Sequence, residues 1–292
     1  MEALSEINLV QGKGSEYIQM LSEIAMLQLE IQQYDIAEEN FKTCLDFFKK
    51  QKDRLGQAAV LGLLGTLYYK RNIFKDSIYH YRKAHLIYNE LHQYKEEITC
   101  LMGIGISHVK LNQLKEASNV FLECCELCSD SDDIYGLLNC LEQLIYIYEK
   151  EENWDVLFEL YKKTLKAFKE IQDNKGVIIA YFNLGIIKRK KVDQEHALRY
   201  FKKGTNMAID SNYSELIIKG LSYVAEIMFY LGNIRDATFQ LIKALYISEK
   251  INAKNAILQI TVLLKSFGLD DRDIKEKLNN FNDVNLDEKI NN

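Results

Sequence analysis

The apolar positions of this chain fall into pairs of helical patterns that recur every 40 residues. In residues 181–203, YFNLGIIKRKKVDQEHALRYFKK, Leu184 and Gly185 belong to one pattern of helical spacing and Ala197 and Phe201 to a second, with polar residues between them. Residues 61–84, LGLLGTLYYKRNIFKDSIYHYRKA, have the same shape 120 residues earlier. Steps of 40 give Ala37, Ser77, Ala117, Leu157, Ala197 and Ala237. Four residues later the same step gives Phe41, Tyr81, Phe121, Tyr161, Phe201 and Leu241, all large. Three further on stand the small residues Cys44, Ala84, Cys124, Thr164, Gly204 and Ala244. Upstream runs another series, Ala25, Gly65, Gly105, Ile145, Gly185 and Ala225, preceded by Ile24, Leu64, Ile104, Leu144, Leu184 and Val224.

Small residues are needed where one helix approaches another closely, and large ones where the gap must be filled. The chain therefore reads as a two-helix unit written six times. One such unit cannot bury its apolar face alone, so neighbours must stack, which predicts an all-α fold of the α-solenoid kind. Asn72, Asn112, Asn153, Asp193 and Asn233 stand in the polar turns as expected N-caps. The fourth unit is irregular, with Ile145 and Leu157 at small positions, and a wider helix separation with a local change of curvature is expected there.

Leu184-Gly185, Ala197, Phe201 and the small residue after it resemble the tetratricopeptide repeat (TPR) in a 40-residue variety, over about residues 15–255. The usual TPR is shorter and often ends in proline. Here those places hold Lys49, Asn89, Ser129, Lys169, Ile209 and Glu249, so the second helix can run on, as in TPR proteins of the cell-polarity and peptide-sensing types. The resemblance implies a right-handed superhelix of six helix pairs whose concave groove binds peptides or short helices. Residues 1–14 read as a lead-in, 256–281 as a capping helix pair and 282–292 as a polar tail. In the cap, Leu264 and Phe281 keep the phase while Lys265 and Lys277 occupy small places, which predicts a polar outer side.

Composition narrows the function. The 292 residues are 48% hydrophobic, enough for a core, and 42 acidic against 37 basic side chains leave a net charge of −5, which argues against a nucleic-acid partner. No apolar run reaches membrane-spanning length and the start is not that of a secretory signal, so a cytoplasmic protein is expected. Proline is absent, so the connections must be short polar turns.

Six cysteines raise the question of a metal, above all in ECCELC, residues 123–128. The pair Cys125-x2-Cys128 lacks a second CxxC or HxxxH pair, and Cys44, Cys124, Cys100, Cys140 and Cys128 all fall in apolar or small columns of the repeat, so buried thiols and no metal are expected. His80, His85, His92, His108 and His196 show no repeated spacing to a nucleophile or carboxylate, and no phosphate loop is present. No catalytic residue and no cofactor are expected, and the acidic runs at 129–133 and 270–273 read as a solvated turn and a helix start.

What remains is a face. Ile179, Phe182, Ile186, Arg189 and Lys190 lie opposite Tyr181, Leu184, Gly185 and Lys188, and the resemblance places the former on the groove. The step of 40 aligns Lys70, Lys110, Lys150 and Lys190 into a ladder, and neighbouring columns add Tyr69, Met102, Ile106, Val109, Tyr146, Asn183, Tyr223 and Phe229, with Glu142 and Glu149 interrupting. Cations beside exposed apolar groups predict a non-enzymatic scaffold that binds an acidic, partly apolar peptide or helix of a partner. Two alternatives stand beside it. One is a peptide-sensing regulatory receptor, although such TPR proteins usually carry a further effector domain and none is read before residue 15. The other is a homo-oligomer whose groove takes the acidic end, residues 281–292, of another copy.

Overall fold

The computed structural model describes residues 2–281, with side chains from Gly14 onward. Among these residues are fourteen helices and no strand. In chain order they are α1 (Glu2–Glu30), α2 (Tyr34–Lys50), α3 (Arg54–Lys70), α4 (Phe74–Glu90), α5 (Tyr94–Lys110), α6 (Leu114–Asp130) and α7 (Ile134–Lys150). There follow α8 (Trp154–Glu170), α9 (Asn174–Lys190), α10 (Gln194–Asp210), α11 (Ser214–Tyr230), α12 (Ile234–Lys250), α13 (Lys254–Ser266) and α14 (Asp271–Asn279). The expected lead-in is, from Glu2 on, the first part of α1, and the expected tail at 282–292 lies outside the described residues. No helix among the described residues is long and apolar enough to cross a membrane.

From α2 to α12 every helix has 17 residues and every link three, so the backbone repeats every 20 residues while the side-chain pattern repeats every 40. One turn geometry produces this regularity. After α3 the N–H groups of Arg71, Asn72 and Ile73 donate to the carbonyls of Leu67, Tyr69 and Tyr68, closing the helix with a left-handed residue at Asn72 (φ 61°). The same pattern returns at 51–53, 91–93, 111–113, 191–193 and 211–213. Proline, lacking an N–H, can stand at none of these places, which accounts for its absence from the links.

The N-cap expectation holds for Asn153, Asp193 and Asn233, whose side chains accept from the N–H groups of Val156, His196 and Asp236. It fails for Asn72 and Asn112. These occupy the left-handed position one residue earlier, and the caps there are Ile73 and Gln113 without a side-chain bond. Asparagine suits both places, because its short amide tolerates positive φ as well as capping.

The chain divides into two compact units, Met1–Ile147 and Tyr148–Asn292. The boundary falls inside α7, in the irregular fourth pair. Each unit is a stack of helix pairs, the α-solenoid arrangement. In the first unit the ring of Tyr81 on α4 lies between Gly65 on α3 and Gly103 on α5. A Cβ at those glycines would stand 2.7 and 2.5 Å from its carbons. Phe121 lies against Gly105 in the same way, at 2.5 Å. Ser77, at a small position, donates its hydroxyl to the carbonyl of Gly65 at 2.9 Å. In the second unit Phe201 lies against Gly185 at 2.6 Å. The small column at Gly65, Gly105 and Gly185 thus meets the large column sixteen positions later in direct contact.

The column Ile24, Leu64, Ile104, Leu144, Leu184, Val224 shows which way each pair faces. Its last five members are buried, whereas Ile24 on α1 is 45% exposed. At the other end Leu264 and Phe281 are buried as expected, and Asp270 opens α14 with a capping box closed by Asp273. The outer side of α13 departs from expectation, for Leu258 and Val262 are exposed on it beside Lys265, which pairs with Asp271 at 2.7 Å.

Two stability predictions follow from the links and the ring contacts. Gly185→Ala, forced against Phe201, lowers stability by about 1–3 kcal/mol, while Gly62→Ala, with nothing within 4 Å of the new methyl, raises it by up to about 1 kcal/mol in urea titrations. Val192 is β-branched, 79% exposed and held at φ 61°, so Val192→Asn stabilises by about 1 kcal/mol, read by thermal melting.

Candidate functional site

The lysine ladder begins as a matter of helix ends. Lys70, Lys110, Lys150 and Lys190 are the last residues of α3, α5, α7 and α9, where a cation faces the unsatisfied carbonyls and the negative end of the helix dipole. All four are exposed. In the first unit Lys70 reaches Glu30, the residue 40 positions before it, at 2.8 Å. Glu30 and Lys70, 40 positions apart in one column, are therefore neighbours in space, and a carboxylate sits beside the first lysine of the ladder. On α5, Met102, Ile106 and Val109 are half-buried on the helix that ends in exposed Lys110. Tyr69 is half-buried with its ring 5.7 Å from that of Phe74, and Tyr146 on α7 is 44% exposed.

In the second unit the expected face is largely engaged by the chain itself. Lys190 lies over the Trp154 ring at 5.5 Å. Arg189 is bound to Glu226 at 2.5 Å and stands 5.8 Å from the centre of Tyr223, whose ring stacks on Phe201 at 4.8 Å. Ile186 and Asn183 are half-buried beside them. Glu149 accepts from the Tyr161 hydroxyl at 3.0 Å, and burial, with the negative charge of Glu149 beside it, pushes the phenol well above its ordinary pKa.

Two site residues are corrected. Phe182 is 2% exposed and belongs to the core, because the missing side chains of Gly204 and Gly220 open a slot between α10 and α11 that its ring fills. Phe229 stacks on Phe267 at 4.0 Å and so helps to hold the residues after α13 instead of facing outward.

With the stacked pairs described, their kinship can be stated. The family model for the tetratricopeptide repeat matches residues 16–85, the stretch that holds the first ring and glycine columns. Residues 16–85 are thus tetratricopeptide repeat, and the helix pairs that follow continue the same fold. The chain is 22% identical over 197 residues to Regulatory protein RapD of Bacillus subtilis (strain 168), covering 65% of its own length and 54% of the relative's. It thus spans about half of that curated relative. Its fold is similar to that of aspartyl phosphate phosphatase F from Bacillus subtilis, with TM-score 0.53 and 16% identity over 92% of this chain and 75% of the other. It is also similar to a STAND signal-transduction ATPase with a tetratricopeptide repeat sensor from Pyrococcus horikoshii, with TM-score 0.59 and 15% identity over 91% and 41% of the two chains.

The histidines stand beside side chains of their own or neighbouring helices, with the buried Nδ1 atoms of His80 and His85 lacking a hydrogen bond. His80 stacks on Tyr68 at 5.0 Å, the Gln113 side-chain carbonyl accepts from His108 Nδ1 at 2.7 Å, and His196 meets Asp193 at 2.8 Å. His85 lies between Glu97 and Glu123 at 3.5 and 3.9 Å, and Asn89 donates to Glu97 at 2.8 Å. A cavity of about 610 Å³ opens away from the expected face, between α2, α3 and α4, with Leu45, Leu61 and Ile87 inside and Lys42, Lys49 and Lys83 among its lining residues.

The reading from sequence missed one cluster. Cys124 and Cys128 on α6 and Cys140 on α7 bring their sulfurs within 4.8 Å of one another, all buried. Bonds from Cys124 and Cys140 hold the Cys128 thiol below its ordinary pKa, while Cys140, sharing the same bonds as donor, is raised. The available signal was the four-residue spacing of Cys124 and Cys128 on one helix side, not the CxxC of Cys125 and Cys128.

Truncation separates core from face. Phe182→Ala lowers stability by about 3–5 kcal/mol, and Ile179→Ala, exposed on the same helix, by less than about 1 kcal/mol, in chemical denaturation.

Proposed function

We propose that this TPR chain is a non-enzymatic interaction scaffold whose first helices receive an acidic, partly apolar peptide or helix of another protein. The observation that carries the reading is the capture of Glu30 by Lys70, a carboxylate of the chain itself seated where a partner's would sit. On the same columns of the first unit Met102 and Ile106 offer apolar contact, and Lys110 offers charge at the end of its helix. In the second unit Arg189 is already neutralised by Glu226, so an incoming carboxylate there competes with an internal one.

A second reading, a peptide-sensing regulator, is favoured by the likeness to a protein named as regulatory, of which this chain spans about half. Small-angle scattering with and without a bound peptide separates the two, since a switch changes its dimensions and a passive scaffold keeps them.

Charge reversal tests the ladder. Lys110→Glu combined with Lys150→Glu weakens binding of a partner isolated by affinity capture about tenfold or more and flattens its salt dependence, by calorimetric titration. An unchanged affinity removes the ladder from recognition.

A further inference from the structure

Three thiols in one place demand an explanation beyond packing. The sulfurs of Cys124 and Cys140 are 2.8 Å apart, and the Met102 thioether stands 3.4 Å from Cys140. Cys124, Cys128 and Cys140 are 0, 1 and 0% exposed, so no water competes for them. Apolar side chains would fill the same space without crowding sulfur on sulfur. Three thiolates at about 2.3 Å from a central cation stand about 4 Å apart, so the sulfurs of Cys124 and Cys140 part by about 1 Å to admit it, inside a cluster whose sulfurs all lie within 4.8 Å of one another.

We infer that Cys124, Cys128 and Cys140 form a site for copper(I), tying α6 to α7, with the Met102 sulfur on its fourth side. The donor set selects the ion. Structural zinc draws its four ligands from cysteine, histidine and carboxylate, whereas thiolate with thioether is the preference of copper(I). No histidine or acidic group among the described residues joins the cluster. The nearby Asp133 uses one carboxylate oxygen to cap the Gly136 N–H at 2.9 Å. Binding exchanges thiol protons for the cation and consumes no oxidant or reductant.

The test uses the full chain, reduced and without oxygen, titrated with copper(I) against the chromophoric chelator bicinchoninate. The expected result is one equivalent withheld from the chelator, a sulfur-only shell of three near neighbours by X-ray absorption, and a raised melting midpoint. Cys44→Ala, which alters a buried thiol outside the cluster, leaves the stoichiometry intact, while Cys140→Ser weakens retention at least about a hundredfold. Should Cys140→Ser fail to fold by circular dichroism, Met102→Leu serves instead, keeping the three near sulfurs and losing the fourth, more distant one. Failure of the unaltered chain to withhold copper(I) overturns the site. So does zinc(II) displacing copper(I) in direct competition, or a Cys124–Cys140 disulfide formed in air by a chain that binds neither ion.

Discussion

The contact on which the rest depends is an aromatic ring lying where a Cβ would be. Tyr81 between Gly65 and Gly103 sets how near α3, α4 and α5 come to each other, and Phe121 and Phe201 do the same for their own neighbours. Burial of a ring removes a large apolar surface from water, but only a glycine lets the helix backbone come down onto it. The gap left by the glycine and the volume of the ring are complementary. Neither residue type stabilises the pair without the other.

That contact also decides what is left for recognition. A first helix covered by its partner and by the next pair keeps only a narrow strip open, and residues on the edge of the strip fall to either side. Phe182 falls inward because Gly204 and Gly220 make room for it, while Met102 in the same column stays half-exposed. The ends of the first helices stay open throughout, since a helix must stop before its link, and cations suit that place on dipole grounds alone. Charge on the face thus has a structural origin, which a partner can exploit.

Much of this was readable from the amino acids because the repeat writes each position several times. The ring and glycine columns, the buried cysteines of those columns, and the helix start at Asp270 all followed from residue type and period. The failures share a cause, which is that the deciding partner lies outside the column. The burial of Phe182 depends on two glycines of other helices, and Asn72 could serve as a cap or as a left-handed residue with equal chemistry. The thiol cluster joins helices, so counting cysteines along the chain selected Cys125 when the geometry selects Cys124 and Cys140.

The uniform three-residue link gives the chain a reading frame of its own. Each helix turns its residues by about 100° per position, so one extra residue inside any helix would carry every later ring of that helix away from its glycine. A block of 40, by contrast, returns both backbone and side chains to register. Such a molecule can gain or lose length only in whole pairs, so duplication, not gradual insertion, is the step by which a chain of this kind grows.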